Sequence, residues 1–424
     1  MPYITRIQIE QCRNVRDLDI DLSVPAAEEP AGLGSVPHPK FRHLILTGPN
    51  GSGKSGVLQE VAGLVEDLLY PPTQGPQAIG RLLTVSFQPG TVKNPNRSAV
   101  RWSAGLRPQD VTGEGGVIGY TFRATATPDD LVVAYLPARR RIHLQKVAGP
   151  SKIDWKPNTI KPTTEASERL LQFLVNKRTE QALAGEDQDT IAVERIRDWF
   201  SAFEGHIRRL VEDEGLTLDF DRRAFDFRFR RSDGYTFDLN TLADGHAAVL
   251  AVLAELLIRV DVIRESRKDY SFIPEGVVII DEIETHLHLS LQEQILPFLT
   301  ELFPTFQFIV ATHSPAVIAS IPNAVVYDLR KRTQVLSDAF RGVRYGTLMT
   351  EHFGISSEID LDSTEKLLRL RDLARRPQRS PDEERAFADL AALLSARSPA
   401  LAVEVWMVKE GLGQPAGAAA GEKR

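Results

Sequence analysis

One stretch constrains this chain more than any other: HLILTGPNGSGKSGVLQEV, residues 43–61. It opens with an apolar run, His43–Thr47, that reads as a strand. A glycine-rich turn follows, Gly48–Ser55, with the spacing G-x-x-x-x-G-K-S, and then a helix from Lys54 to about Tyr70. Glycines let the backbone curl with its N–H groups pointing inward, which makes an anion nest at a helix N-terminus. In the set Gly48, Pro49, Asn50, Gly51, Ser52, Gly53, Lys54 and Ser55, the lysine is the group that reaches β- and γ-phosphates. The Ser55 hydroxyl is a ligand for Mg²⁺.

Two further segments complete a nucleotide site. GVVIIDEIETHLH, residues 276–288, starts with an apolar strand of the kind buried on both faces of a parallel sheet. Asp281 at its carboxyl end is placed to hold Mg²⁺, and Glu282, pointing differently, to polarise an attacking water as general base. FQFIVATHSPAVI, residues 306–318, is another apolar strand, ending in Thr312-His313-Ser314. His313 lies 32 residues beyond Asp281, the length of one helix plus one strand, so it is expected at the tip of the neighbouring strand, where it would hydrogen-bond the γ-phosphate. ATP with Mg²⁺ is the ligand pair these residues suit.

The 424 residues suffice for one large domain with insertions, or for two to three domains. The single cysteine, Cys12, excludes an internal disulfide and any CxxC motif and suits a reducing cytoplasm. The net charge of −6 disfavours a surface that binds nucleic acid everywhere. The longest apolar stretch, residues 247–263, is interrupted by Glu255, Arg259 and Asp261. It is expected as a buried helix, not a membrane span. Alternating patterns predict strands over residues 3–23 and 216–239, and helical periodicity fills 165–213. The Pro-rich segment 151–164 reads as a surface loop, the chain beyond 346 as charged helix, and 413–424 as a disordered tail.

The three site segments resemble ABC-type ATPases of the AAA family, in the branch that includes RecF, SMC-like and OLD-type proteins. The opening ITRIQIEQCRNVRDLDIDLS is similar to the N-terminal strands of that branch. DEIETHLHLSLQEQILPFLTELFPTFQFIVATHSP is similar to its small bacterial members, such as the ATPases of Septu-, retron- or PARIS-like defence systems. The resemblance covers roughly residues 1–145 and 215–355. It implies an α/β P-loop NTPase of ABC-head type, with a mixed central sheet, flanking helices, an antiparallel β lobe and a helical insertion. The expected divisions are residues 1–150 (strands, Walker A, β lobe), 151–215 (helical insertion), 216–345 (signature, Walker B, His switch) and 346–424 (helical extension with tail). It also implies a homodimer, or a higher homo-oligomer, that closes head to tail around two ATP molecules.

Such a dimer needs a signature turn that reads the γ-phosphate held by the other subunit. LNTLADGHAAVLAVLAELL, residues 239–257, resembles the LSDG variant of that turn, with Leu242, Asp244 and Gly245 matching and Ala243 where serine is usual. Without that hydroxyl the contact loses a hydrogen bond worth about 1.5–3 kcal/mol, so a weaker or slower ATP-driven dimer is expected. The glutamine of the family's site is either Gln88 or absent. In YLPARRRIH, residues 135–143, one of Arg139, Arg140 and Arg141 either contacts phosphate or the run is a solvated turn.

The residues beyond 346 are too few for the Toprim nuclease of OLD-type proteins, and no long heptad run suggests a coiled-coil arm. Asp360, Asp362 and Glu365 read as helical surface charge. Besides the blander option that ATP binding serves assembly with negligible turnover, two functions stay open. One is a cytoplasmic regulatory ATPase that partners a separately encoded, nuclease-like effector in anti-phage defence. The other is a RecF-like DNA-binding ATPase of repair, suggested by RRR at 139–141 and FRFRR at 227–231.

Overall fold

The structure is a computed structural model. It describes residues 3–24, 41–69, 82–87, 101–102, 120–121, 130–140, 144, 146–153, 155, 163, 165–343, 345–351 and 360–411. Gln88, Arg141, His143 and the tail 413–424 lie outside the described residues, as does most of the segment between 70 and 130. The described chain divides into two compact units, residues 1–343 and 344–424.

In chain order the first unit begins with a hairpin, β1 (Ile4–Cys12) and β2 (Val15–Asp21), whose alternating pattern buries Ile7, Ile9, Leu18 and Ile20. There follow β3 (His43–Thr47), α1 (Lys54–Leu69), β4 (Leu82–Phe87), the short β5 (Arg101–Trp102) and β6 (Tyr120–Thr121), and β7 (Leu131–Leu136). Two helices, α2 (Leu170–Glu186) and α3 (Thr190–Val211), lead to β8 (Thr217–Asp221), β9 (Asp226–Arg230) and β10 (Thr236–Asp238). The rest alternates: α4 (Asp244–Arg267), β11 (Glu275–Ile280), α5 (Leu289–Leu302), β12 (Phe306–Ala311), α6 (Pro315–Ile318), then β13 (Ala324–Asp328) and β14 (Thr333–Leu336).

The central sheet has the order β14-β13-β3-β12-β11-β7. Five strands are parallel and β14 runs antiparallel at the edge, so the sheet is mixed. The parallel strands are apolar almost without alternation, because both faces are covered. One face packs Leu44, Leu46, Ile279, Ile309 and Ala311 in a single core with Val57, Val61 and Val65 of α1 and the inward residues of β1 and β2. β1, β2 and β4 form their own antiparallel sheet, order β2-β1-β4. This is the architecture of an α/β P-loop ATPase head, with a β lobe and a helical pair set into it.

Parallel pairing has a functional consequence: the carboxyl ends of five strands share one edge. Across that edge run Leu329, Gly48, Thr312, Asp281 and Pro137, each the first residue after its strand.

The helical pair is fastened to α4 by buried charge. Lys177 Nζ lies 2.9 Å from Asp261, beneath the rings of Phe173 and Trp199. Arg259 bonds Glu255 at 2.8 Å and the Val133 carbonyl at 2.9 Å, tying α4 to β7, and Glu255 accepts the Ser167 N–H at 2.8 Å. No helix among the described residues is long and apolar enough to cross a membrane. In α4 the interrupting charges found in the sequence, Glu255, Arg259 and Asp261, are the ones so paired.

The second unit, described by itself, contains α7 (Tyr345–Glu351), α8 (Leu361–Ala374), α9 (Pro381–Arg397) and α10 (Pro399–Lys409). Asp360, Ser380 and Ser398 cap the last three by accepting backbone N–H groups, and Ser380 with Glu383 completes a capping box. Leu370, Leu394, Leu401 and Val405 form its core.

Candidate active site

The loop after β3 adopts the conformation its glycines allow. Gly48, Gly51 and Gly53 have φ of 136°, 77° and 102°. At Gly53 a side chain is excluded twice over: by the backbone angle, and because a Cβ would lie 2.4 Å from Val15 and 2.8 Å from Asn14. The β1–β2 turn therefore sits directly on the loop, and Asn14 Nδ2 donates to the Gly51 carbonyl at 2.6 Å. Arg13 in the same turn donates to Gln59 of α1 at 2.7 Å.

Lys54, the first residue of α1, turns back and donates to the carbonyls of Gly48 at 2.9 Å and Pro49 at 3.2 Å. Burial pushes its pKa below the usual lysine range, opposed by the charges of Glu282, Glu284, Asp281 and Asp328. The next residue, Ser55, hydrogen-bonds the Asp281 carboxylate.

Asp281 is only 4% exposed, and its Oδ1 has no hydrogen-bond partner within the protein. Burial raises its pKa, and the Glu282 charge adds to that, while Ser55, Arg140 and Lys54 work against it. A buried carboxylate oxygen left open beside a serine hydroxyl is an unfinished coordination site. Two hard oxygen donors suit Mg²⁺, which takes one or two protein ligands and completes its shell with water and phosphate. Asp281 and Ser55 are the residues that would hold it; among the described residues no cluster of three His, Cys, Asp or Glu exists that would form an all-protein cage.

Glu282 has a φ of 45°, in the left-handed region that a side chain normally avoids. Thr285 Oγ1 donates to its carboxylate at 3.4 Å. Two residues on, Glu284 accepts the His313 backbone N–H, while its other oxygen is buried without a partner. His313 is half-buried, and burial together with the nearby Lys54 charge lowers its pKa, so it is neutral at physiological pH. Ser314 donates to Gln292 of α5 at 2.7 Å, which anchors the turn that carries the histidine.

The loop Gly48–Ser55, Asp281, Glu282 and His313 thus converge at one sheet edge, with Lys54 in the electrostatic reach of all three later residues. The signature residues are held elsewhere. Ala243 is the N-cap residue of α4 and offers no side-chain cap, and Asp244 begins the helix exposed. Gly245 is buried against the turn after β11: a Cβ there would meet the His286 carbonyl at 2.7 Å. Leu242 is half-buried beside them.

Reading the sequence missed Asn14, Glu284 and Gln292, whose roles come from partners distant in the chain. It also left Arg140 undecided. The structure turns the Arg140 guanidinium onto backbone carbonyls of the Asp281 turn, whereas Arg139 is exposed.

The chain is similar to several known proteins. Residues 150–319 match the family described as "AAA domain, putative AbiEii toxin, Type IV TA system". The chain is 24% identical over 331 residues to the Septu protein PtuA of Bacillus mycoides (strain KBAB4), covering 76% of this chain and 40% of that protein. It is 30% identical over 128 residues to the Retron Ec83 probable ATPase of Escherichia coli, covering 30% of this chain and 23% of that one. It therefore spans less than half the length of the curated relatives it matches. Among solved structures it is similar to the SMC head domain from Thermotoga maritima, at 13% identity and a TM-score of 0.34, covering 77% of this chain and 94% of that one. The chain is thus similar, over part of its length, to an AAA domain family, to a Septu protein and to a retron probable ATPase.

Proposed function

We propose that this chain binds ATP with Mg²⁺, hydrolyses it slowly, and closes head to tail with a second copy to regulate a separate effector protein in bacterial anti-phage defence. The single observation that carries the ATPase reading is the convergence of Lys54, Ser55, Asp281, Glu282 and His313 at one sheet edge, with the Asp281 Oδ1 left open. The likeness to a Septu protein and to a retron probable ATPase motivates the setting in defence.

In this reading the loop amides and Lys54 cradle the phosphates once Lys54 leaves the Gly48 and Pro49 carbonyls. Bound Mg²⁺ supplies neutralisation of phosphate charge. Glu282 accepts a proton from the attacking water as the new P–O bond forms and the bond to the β–γ bridging oxygen breaks, leaving ADP and phosphate. Neutral His313 donates to the terminal phosphate, and Glu284 holds its backbone in place. The signature turn, Ala243–Gly245, lies at the exposed start of α4, where it would meet the ATP of a second copy.

One of the two basic runs behind the alternative of DNA binding loses its force. FRFRR belongs to β9, between β8 and β10, and the register sets Arg228 opposite Asp219 and Asp238. Arg230 pairs with Asp219 as well. With Asp221 and Asp226 on the same strands, the face is acidic on balance despite its basic sequence run.

The test is oligomeric mass with and without ATP, alongside hydrolysis. Glu282→Gln should bind ATP, turn over about 100-fold or more slower, and accumulate as a dimer. A wild-type rate equal to that of the variant would remove the hydrolase, and an unchanged mass would remove the dimer.

A further inference from the structure

We propose that Arg140 is a positioning residue that sets the turn carrying the metal ligand and the general base, and makes no contact with phosphate. The inference rests on the roles given above to Asp281 and Glu282.

β7 pairs with β11 in parallel up to Leu136 and Ile280, and the ladder extends one residue further, where the Asp281 N–H donates to the Leu136 carbonyl at 2.9 Å. Beyond that point the chain leaves the sheet and its carbonyls lose their ladder partners. Arg140 supplies them. Its NH1 donates to the carbonyls of Asp281 at 2.6 Å and Pro137 at 3.0 Å, and its NH2 to those of Glu282 at 2.9 Å and Ile283 at 3.4 Å. One planar group thus spans three consecutive carbonyls of the turn and one of its own strand's extension.

The choice of residue follows from this geometry. A guanidinium presents its donors in a rigid fork, whereas an ammonium is a single point on a flexible stem. The charge is 8% exposed and would be costly alone; the carboxylates of Glu284, Asp281 and Glu282 surround it and offset that cost. Burial lowers its pKa to about 10, so it stays protonated at neutral pH. Glu282 sits in the left-handed region, a conformation that is strained for a side chain and persists only when its surroundings hold it. The Arg140 fork bonds the carbonyls on both sides of that residue's φ and ψ, which is what holding it requires.

The experiment uses the full chain with Arg140→Met, which keeps the stem and removes the donors, and Arg140→Lys, which keeps the charge and removes the fork. Two quantities are read: ATP turnover as kcat and KM, and the affinity for ADP with Mn²⁺ against ADP in EDTA. Loss of a group that orients ligands usually costs 10- to 100-fold in metal affinity or activity, so both variants should lose about tenfold or more in kcat and in Mn²⁺ dependence. KM for ATP and the affinity for ADP in EDTA should stay within about threefold, since the phosphate loop is untouched.

Unchanged kcat and Mn²⁺ dependence in either folded variant would overturn the proposal. So would an equal loss of ADP affinity in EDTA, which would make Arg140 a general support of the fold. Full activity in Arg140→Lys would also overturn it, because charge and not fork geometry would then suffice. The Mn²⁺ measurement needs no turnover. If the wild type proves inactive, the hydrolase reading fails and the positioning role is still decided.

Discussion

Among the described residues, the buried polar groups at the amino ends of the central strands have hydrogen-bond partners, whereas at the carboxyl ends several buried oxygens are left open. Gln307, entirely buried near the start of β12, accepts the Ile4 N–H at 2.7 Å and donates to the carbonyls of Ile4 and Arg42, both at 2.8 Å. His43, at the start of β3, accepts the Phe308 N–H on Nδ1 at 3.0 Å. At the opposite edge Thr47 Oγ1, Ser52 Oγ, Asp281 Oδ1 and Glu284 Oε2 are buried without a hydrogen-bond partner. Leaving such atoms open costs about 1–3 kcal/mol each, a cost the fold avoids where nothing is to be bound. The contrast separates groups that hold the sheet to the β lobe from groups that would be satisfied by the ligand proposed above.

The two edges should fail in opposite ways. The largest effect is expected at the carboxyl edge. Lys54→Met removes the ammonium that the phosphates would take over from Gly48 and Pro49. It should weaken ATP binding by about 100-fold or more while leaving the urea midpoint nearly unchanged. Isothermal titration and urea unfolding of the same variant check both halves; a stability loss with intact binding would reverse the assignment of the edges.

Gln307→Leu is the converse at the amino edge. It leaves the amide and carbonyl of Ile4 without the partners that bridge β12 to β1, and should cost about 2–4 kcal/mol in urea unfolding with ATP affinity kept. His43 adds a pH signature at the same edge. Burial holds its pKa down to about 4, against 6.5 in the unfolded chain. The unfolded state therefore binds the proton first, and stability falls as pH drops from 6.5 towards 4, by about 3 kcal/mol in all. His43→Gln keeps an acceptor for Phe308 and should flatten that slope; an unchanged slope would place the titrating group elsewhere.

The same contrast explains what was legible in the sequence. Apolar runs such as Val277–Ile280 and Phe308–Ala311 announce parallel strands locally, so Asp281 and His313 could be set at strand ends without any contact being known. The glycine spacing of 48–55 carries its own backbone physics. Arg140, Glu284 and Asn14 were not legible in this way, because each acts through a partner that only folding supplies: Arg140 meets Asp281 across 141 positions of sequence, and Asn14 meets Gly51 across 37. The run FRFRR misled for the same reason. Its charge is decided by Asp219 and Asp238 on the adjacent strands, which a local count of arginines does not include.

The smallest effect is also the one that most directly asks whether the carboxyl edge is kept open at a cost. Asp281 has a pKa raised above the ordinary carboxylate value by burial. The folded state thus holds its proton to higher pH than the unfolded state. That favours folding at low pH, and the benefit is lost as pH rises through the folded pKa. At neutral pH, without ligand, the ionised carboxylate is a burden. Asp281→Asn keeps an oxygen for Ser55 and removes the charge, so the variant without ligand should be more stable than wild type at pH 7, with the difference shrinking as pH falls. With Mg²⁺ and ADP the order should invert, because only the wild type gains from binding the metal. Thermal unfolding at two pH values, with and without Mg²⁺ and ADP, reads all of this. A variant less stable than wild type under every condition would mean that Asp281 supports the fold as Gln307 does, and the distinction between the two edges would be lost.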